Sequence, residues 1–462
     1  MFRKNKHDAQ KVAFAPLSGG VNVSVPASQI AENEMSLCEN FIYEKDSAKL
    51  VGRGGLQKIS TYSSNIIALF YDIETNLEFV FLENGTCYEV ILGDTETKRT
   101  NLQQVTGKKQ PKCCKFKNML FVASGGHLQF YDFSAERPWL QSIVGAPVCD
   151  NLFYRWGRLM VSATGSDRIT YSAVGDASSD QAWVEKTNDP SMSYWIDIGS
   201  DDDGDIVDIV PLATDIIVFK SNGKAYQFSG DSDIDTWAVY NVANFTDIVG
   251  NSTAGMVATN LGNQIALLSL RGLKTLSATQ DYGNVAAADI GDKFNSLLTN
   301  GMYEPEIFHL RRHKTLMIRP TVDKTYFVAY NYGLEVATVV RFGVEVNYIL
   351  ETKDDIYVAA GRDIYRWTQE ATQDGNVPIN YKLKPREVLG SEEMLVKAID
   401  TKFISDRAGD VSFKIGDRLN VTMPANSRRK VRCNHSCDAV DITVESNTRF
   451  ELGHIYLDMA EL

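Results

Sequence analysis

Apolar and polar positions along this chain alternate with a period of two, in short runs broken by small turn residues, and the same unit returns many times. LEFVFLENGTCYEV (Leu77 to Val90), MLFVASGGHLQFYD (Met119 to Asp132) and RLMVSATGSDRITYSA (Arg158 to Ala173) each read as strand, turn, strand. So do DIIVFKSNGKAYQFSG (Asp215 to Gly230), QIALLSLRGLKTLS (Gln264 to Ser277) and DIYVAAGRDIYRW (Asp355 to Trp367). An apolar run, a small turn and an alternating aromatic or aliphatic run together make a β-hairpin signal. Hairpins returning roughly every 40–60 residues point to a β-propeller, in which each blade buries its faces against two neighbours.

A blade needs an inner strand ahead of its hairpin. NIIALFYD, KCCKF, DIVDIVPLA and GMVATNLG stand in that place before the first, second, fourth and fifth hairpins. TLMIRP (Thr315 to Pro320) and TYFVAYNYG (Thr325 to Gly333) supply a seventh hairpin, so six to eight blades are expected. Two helices are predicted. One spans Ala31 to Phe41 with Asn33 as its N-cap; the other spans Ala286 to Gly301, with Phe294, Leu297 and Leu298 on one face and Gly301 as the stop.

The expected fold class is thus all-β. An N-terminal arm and motif segment covers 1–58, a β-propeller 59–367 and a polar linker around TQEATQDGN 368–377. The remaining segment, 378–462, loses the blade pattern and reads as a β-sandwich-like domain, with Val411, Phe413, Ile415, Ile455 and Leu457 facing inward.

Composition narrows the function. The 462 residues carry a net charge of −12. An acidic surface argues against binding to a phosphate backbone as the main task, because that needs Lys and Arg to displace counterions. It leaves room for DNA as something the protein lets pass. No apolar run approaches the ~18 residues that span a bilayer, so no membrane span is expected. The basic start, MFRKNKHDAQK, has no apolar core behind it, so no secretory leader is expected. Seven cysteines, an odd number with Cys113 and Cys114 adjacent, point to reduced thiols and folding in a cytosol.

Three clusters invite a chemical reading. Cys433, His435 and Cys437 offer three metal ligands, but the C-x-x-x-C spacing is not the C-x-x-C knuckle of zinc sites. The plain reading is a reduced, partly buried loop. Asp201, Asp202, Asp203 and Asp205 resemble a calcium loop but lack the glycine at the sixth and the glutamate at the twelfth position; a solvated acidic turn at a propeller rim accounts for them. His309 and His313 are four apart, but Leu310 stands where a zincin motif needs Glu. No nucleophile elbow, Walker loop or dinucleotide fingerprint is present. The expectation is no catalytic, cofactor-binding or metal residue, and no enzyme.

The N-terminal stretch adds a resemblance. GGVNVSVPASQIAENEMSLCENFIYEKDSAKLVGRGG resembles the opening of tail hub or nozzle proteins of short-tailed bacteriophages, a group that includes packaged-DNA stabilisation proteins. Gly19, Gly20 and Asn22 match the G-G-x-N/D turn, Pro26 and Ile30 follow, Glu34 to Asn40 match the polar helix, and Gly52 to Gly55 the basic glycine-rich turn. Gly54 stands where a proline is common. RFELGHIYLDM (Arg449 to Met459) resembles the closing strand pair of such proteins. The resemblance implies a structural virion protein with no active site: a propeller-based subunit, six to a ring, attached below the portal and adaptor. It implies docking of plug, fibre or spike proteins, passage of DNA through the channel without sequence-specific contacts, residence in the virion tail and synthesis in the host cytoplasm. A ligand-binding propeller, for carbohydrate or a receptor, is the alternative reading.

Overall fold

The structure is a computed structural model and describes residues 10–14, 16–44, 47, 49–136, 139–186, 189–244, 258–278, 285–416 and 419–461. Short antiparallel strands dominate it, as the period-two pattern requires. Among the described residues, seven four-stranded blades follow one another, each an inner strand, a hairpin and an outer strand; five are separate sheets and two are parts of larger ones. The first is Ile66–Asp72, Leu77–Leu82, Thr86–Ile91 and Lys98–Gln104. Four more begin with the inner strands Lys112–Phe116, Asn151–Arg155, Ile206–Leu212 and Ala258–Asn260. The sixth is Glu306–Leu310, Thr315–Arg319, Tyr326–Asn331 and Val336–Arg341. The inner strands of the seventh and first sheets lie side by side, so the ring of blades closes on itself. The fold is a β-propeller.

The seventh blade is completed from the far end of the chain. Val346–Glu351, Ile356–Ala360 and Asp363–Thr368 take Gly55–Thr61 as their outer strand, with Asp363 opposite Thr61 and Thr368 opposite Gly55. The expected boundary at 58/59 therefore cuts through a strand. Joining the first and last strands in one sheet ties the ring shut by backbone hydrogen bonds, so opening it would expose a full strand ladder.

The N-terminal segment likewise belongs with the C-terminal one. Met35–Glu39 pairs in parallel with the outer strand of the sixth blade, Glu39 opposite Val339, and antiparallel with Tyr381–Pro385. The sheet continues through Ile442–Ser446, Asp410–Ile415 and Leu419–Pro424. A facing sheet runs Phe41–Tyr43, Leu50–Gly52, Glu451–Glu461, Val388–Ile404 and Ser427–Val440, with Gln10–Ala13 added to Glu451–Glu461. Phe14, Phe41, Phe403, Phe413 and Phe450 fill the space between. Val411, Phe413, Ile415, Ile455 and Leu457 are fully buried there, as the alternation predicted.

Both helix expectations are corrected. Met35–Glu39 and Phe41–Tyr43 are strands, because partners on both sides of the first and Leu50–Gly52 beside the second supply hydrogen bonds that a thin amphipathic face could not outweigh. Of 286–301, Val285–Asp289 is the outer strand of the fifth blade and only Asn295–Thr299 is helical. Phe294 and Leu298 are nevertheless buried. The polar stretch 368–377 is not a free linker: Asp374 pairs in parallel with Leu56 and is buried.

Candidate functional site

The glycine-rich turn Gly52-Arg53-Gly54-Gly55 lies where sandwich and propeller meet. Its glycines serve close approach, since a Cβ on Gly54 or Gly55 would collide with the backbone carbonyls of Thr368 or Gln373. Arg53 is fully buried and satisfies every guanidinium donor. Nε donates to Asn40 Oδ1 at 2.9 Å, Nη1 to Gly54 O and Asp374 Oδ1, both at 2.9 Å. Nη2 donates to Arg341 O at 2.7 Å and Asp374 Oδ2 at 2.5 Å. Asn40 takes φ 64°, a conformation Asn tolerates, and its Oδ1 also accepts the Arg341 amide. The Tyr381 hydroxyl donates to Arg53 O at 2.8 Å. One side chain thus gathers the N-terminal motif, the sixth blade and the stretch after the seventh.

The opening of the motif is built as tightly. Asn22 Nδ2 donates to Glu34 Oε2 at 2.8 Å, and the same oxygen accepts the Ala31 amide at 2.9 Å. Lys293 Nζ reaches Glu34 Oε1 at 2.8 Å. Burial pushes the Glu34 carboxyl up, but Lys293 and these donors outweigh it and hold the group below the usual range. The Gly20 amide donates to the Tyr43 hydroxyl, which donates to Leu17 O.

The propeller axis holds a cavity of about 350 Å³, lined by Phe70, Lys112, Asp208, His309, Arg311 and Tyr348 among others. Lys112 Nζ lies 3.2 Å from Asp208 Oδ1. His309 Nε2 meets the Tyr332 hydroxyl at 3.2 Å and Nδ1 the Thr259 hydroxyl at 3.4 Å. Burial, reinforced by Arg311, pushes the imidazole down to about 4, so it is neutral at pH 7. Its bonding partners are two hydroxyls, with no carboxylate to orient it as a base. Where the inner strands begin, a second cavity of about 530 Å³ is lined by Asn65, Lys108, Glu306, Arg319, Lys324 and Asn347, among others. Burial raises the Glu306 carboxyl despite its ion pair with Arg319.

The sequence candidates fall apart as sites. Asp202 is already neutralised by the buried Lys220 at 2.5 Å and accepts the Tyr226 hydroxyl at 2.7 Å. Burial opposes its charge, but these partners prevail and bring it down to about 2. The Lys220 ammonium also donates to Ile198 O at 2.5 Å and Gly199 O at 3.0 Å, so the oxygens of this turn serve a cation of the chain itself. Cys433, His435 and Cys437 lie on one strand, not a loop; Cys433 and Cys437 pack against the sandwich core. Among the described residues no three His, Cys, Asp or Glu gather as a metal would require. His313 Nδ1 meets Glu351 Oε1 at 2.7 Å, away from His309's partners. All seven cysteines are free thiols. Asp374 and Glu34 carried no sequence signal as a partner of Arg53 or a capping centre, since their roles depend on contacts distant along the chain.

No known protein-family profile matches this chain, and no curated protein matches it. Solved structures that it resembles include BamB from Moraxella catarrhalis, with 9% identity, a TM-score of 0.39, and coverage of 70% of this chain and 92% of that one. The WD40 β-propeller domain of Doa1 gives 12% identity and a TM-score of 0.44 over 69% of this chain and 98% of that one. The extracellular domain of a hybrid two-component system from B. thetaiotaomicron gives 11% identity and a TM-score of 0.48 over 86% of this chain and 58% of that one. These likenesses concern the propeller fold alone.

Proposed function

We propose that this chain is a structural virion subunit of a short-tailed bacteriophage, forming a tail nozzle ring of six copies below the portal and adaptor. One observation carries the reading. The two stretches that resemble nozzle proteins lie more than 390 residues apart and meet in one sheet, where Val51 pairs with Glu451. That sheet faces the one that continues into the sixth blade, and Arg53 fixes the junction. A motif that builds a rigid connection between a propeller and a second module suits a ring part that must transmit load without moving. In this reading the ring lines the distal DNA channel, docks plug, fibre or spike proteins, and is assembled from chains made in the host cytoplasm.

Electron microscopy of the chain mixed with its portal and adaptor tests this: sixfold rings are expected on the template. Failure to join portal and adaptor under any condition would overturn the reading. The isolated chain is expected to sediment as a monomer, because a net charge of −12 repels further copies. A second reading, a ligand-binding propeller, draws on the polar cavity of about 530 Å³ where the inner strands begin. Glycan-array binding by the monomer would favour it.

A further inference from the structure

The acidity of this chain is unevenly placed. Residues 378–462 contain 13 Lys and Arg against 13 Asp and Glu, so the whole net charge of −12 lies in the first 377 residues. Within the neutral part, Ser427–Val440 opens with Ser-Arg-Arg-Lys-Val-Arg and forms the end of its sheet, paired only with Val388–Ile404 among the described strands. Val431 and Cys433 pack toward the core, so the alternation turns Arg428, Lys430 and Arg432 to the outward face. The register sets Lys402 opposite Arg428 and Asp400 opposite Lys430. One strand further in, His454 stands opposite Lys402 and Tyr456 opposite Asp400, with Lys11 Nζ 4.0 Å from the centre of the Tyr456 ring. Asp400 and Asp458 are the acids that these cations meet, through Arg428 at 3.8 Å and Lys430 at 2.6 Å. At this end of the face five cations meet two carboxylates, a local cationic excess; Asp438 and Glu393 stand at the other end of the same two strands.

We propose that this outward sheet face binds the phosphodiester backbone of nucleic acid, weakly and without sequence preference. Alternate side chains on a strand stand about 6.8 Å apart and adjacent strands about 4.8 Å apart, which makes a two-dimensional array of cations suited to a row of phosphates. The side chains of Arg428 and Lys430 are 69% and 58% exposed, so their ion pairs are solvated, contribute little and exchange readily for a phosphate. His454 and Tyr456 pack ring against ring at 4.8 Å in the middle of the array, tilted by 32°, and Lys11 sits over the Tyr456 ring, so this part of the face is held in place by ring contacts. Charges also guard free sheet edges against pairing with other chains. That task needs them on the edge strand alone, whereas Lys402, Tyr456 and Lys11 carry this face three strands inward. The inference does not rest on the ring reading, since it uses only the charge map of one chain.

The experiment is fluorescence anisotropy of the full chain with a labelled duplex of about 30 base pairs and a single strand of the same sequence, across salt concentrations. Binding to both is expected at low salt, with log K falling against log salt at a slope of about −3 for the duplex, as three or so displaced counterions require. Arg428→Glu/Lys430→Glu/Arg432→Glu should weaken binding by roughly tenfold or more, with the melting temperature and circular dichroism unchanged. Should that triple variant fail to fold, Lys402→Gln/Arg432→Gln, two exposed positions, takes its place and should reduce the slope by about 2. No binding at low salt, or equal binding by the folded variant, overturns the proposal. Equal affinity for poly-glutamate would assign the face to an acidic protein and overturn it too. So would self-association, seen by sedimentation, that the variant abolishes while DNA is not bound.

Discussion

Asp374→Asn should loosen the joint between propeller and sandwich, because it leaves a fully buried guanidinium without its counter-ion. Arg53 and Asp374 are 0% and 1% exposed, and two of the five Arg53 hydrogen bonds end on that carboxylate. Asp374 Oδ2 also accepts the Gly343 amide at 2.8 Å. An asparagine keeps one acceptor, so in either flip its amide nitrogen faces an Arg53 donor, donor against donor, and in one flip the Gly343 N–H as well. Breaking a buried pair by removing one partner costs about 3–5 kcal/mol, since the remaining charge stays desolvated. Urea unfolding followed by tryptophan fluorescence is the assay. Trp367, whose indole donates to Gly54 O at 3.0 Å, sits beside the pair and should report the earliest transition. A double-mutant cycle with Arg53→Met should return a coupling of roughly 2 kcal/mol. An Asp374→Asn chain within about 1 kcal/mol of wild type, or a coupling near zero, would refute the argument. It would mean that the carbonyls of Gly54 and Arg341 and the Phe342 ring, 4.8 Å from the guanidinium, suffice to hold Arg53.

The other predictions concern turns, titration and thiols. Gly223→Val should destabilise by roughly 1–3 kcal/mol, read as a lower melting temperature, because Gly223 has φ +84° after a turn closed by its amide on Lys220 O at 3.0 Å; wild-type melting would show that a β-branched residue fits there. Acidification from pH 6.5 toward 4 should remove stability through His309, since its folded value of about 4 lies below the unfolded one, so the unfolded chain binds the proton first. Glu78, which burial raises to about 7, works in the opposite sense: its contribution is full below about 4.5 and lost as pH rises through 7. A His309→Gln chain should therefore lose less stability than wild type between pH 6.5 and 4.5 in urea titrations, and equal losses would contradict the assignment. In the native protein, iodoacetamide should modify Cys433 and Cys437 well before Cys38 and Cys87, whose thiols are fully buried and pushed far up by that burial; mass spectrometry showing the reverse order would count against the sandwich packing.

Local chemistry was legible in the sequence wherever neighbours along the chain decide the outcome. The hairpins at Leu77–Leu82 and Thr86–Ile91, and at Asp215–Lys220 and Lys224–Ser229, lie where alternation and a glycine placed them. The turn of the second is a three-residue loop, Ser221-Asn222-Gly223, with only Gly223 at positive φ. Inward positions such as Phe413 and Ile455 were legible for the same reason. What the sequence could not reveal is set by partners hundreds of residues away. Met35–Glu39 carries too little periodicity to choose between helix and strand, and only Tyr381–Pro385 and the sixth blade make it a strand. Gly55–Thr61 has no reason of its own to close the seventh blade until Asp363–Thr368 offers an unpaired edge. Asp374 looks like a linker residue until Arg53 arrives to neutralise it. Charge shows the same division. Composition makes the chain acidic, but three basic side chains on alternate positions of Ser427–Val440 become one face only when sheet register stacks Lys402 and Lys11 beside them. The period-two pattern determined the strands by itself, because side-chain alternation is a property of the local backbone. The joint, the ring closure and the cationic face were decided by tertiary structure, because burial and charge neutralisation belong to pairs of residues that the sequence keeps far apart.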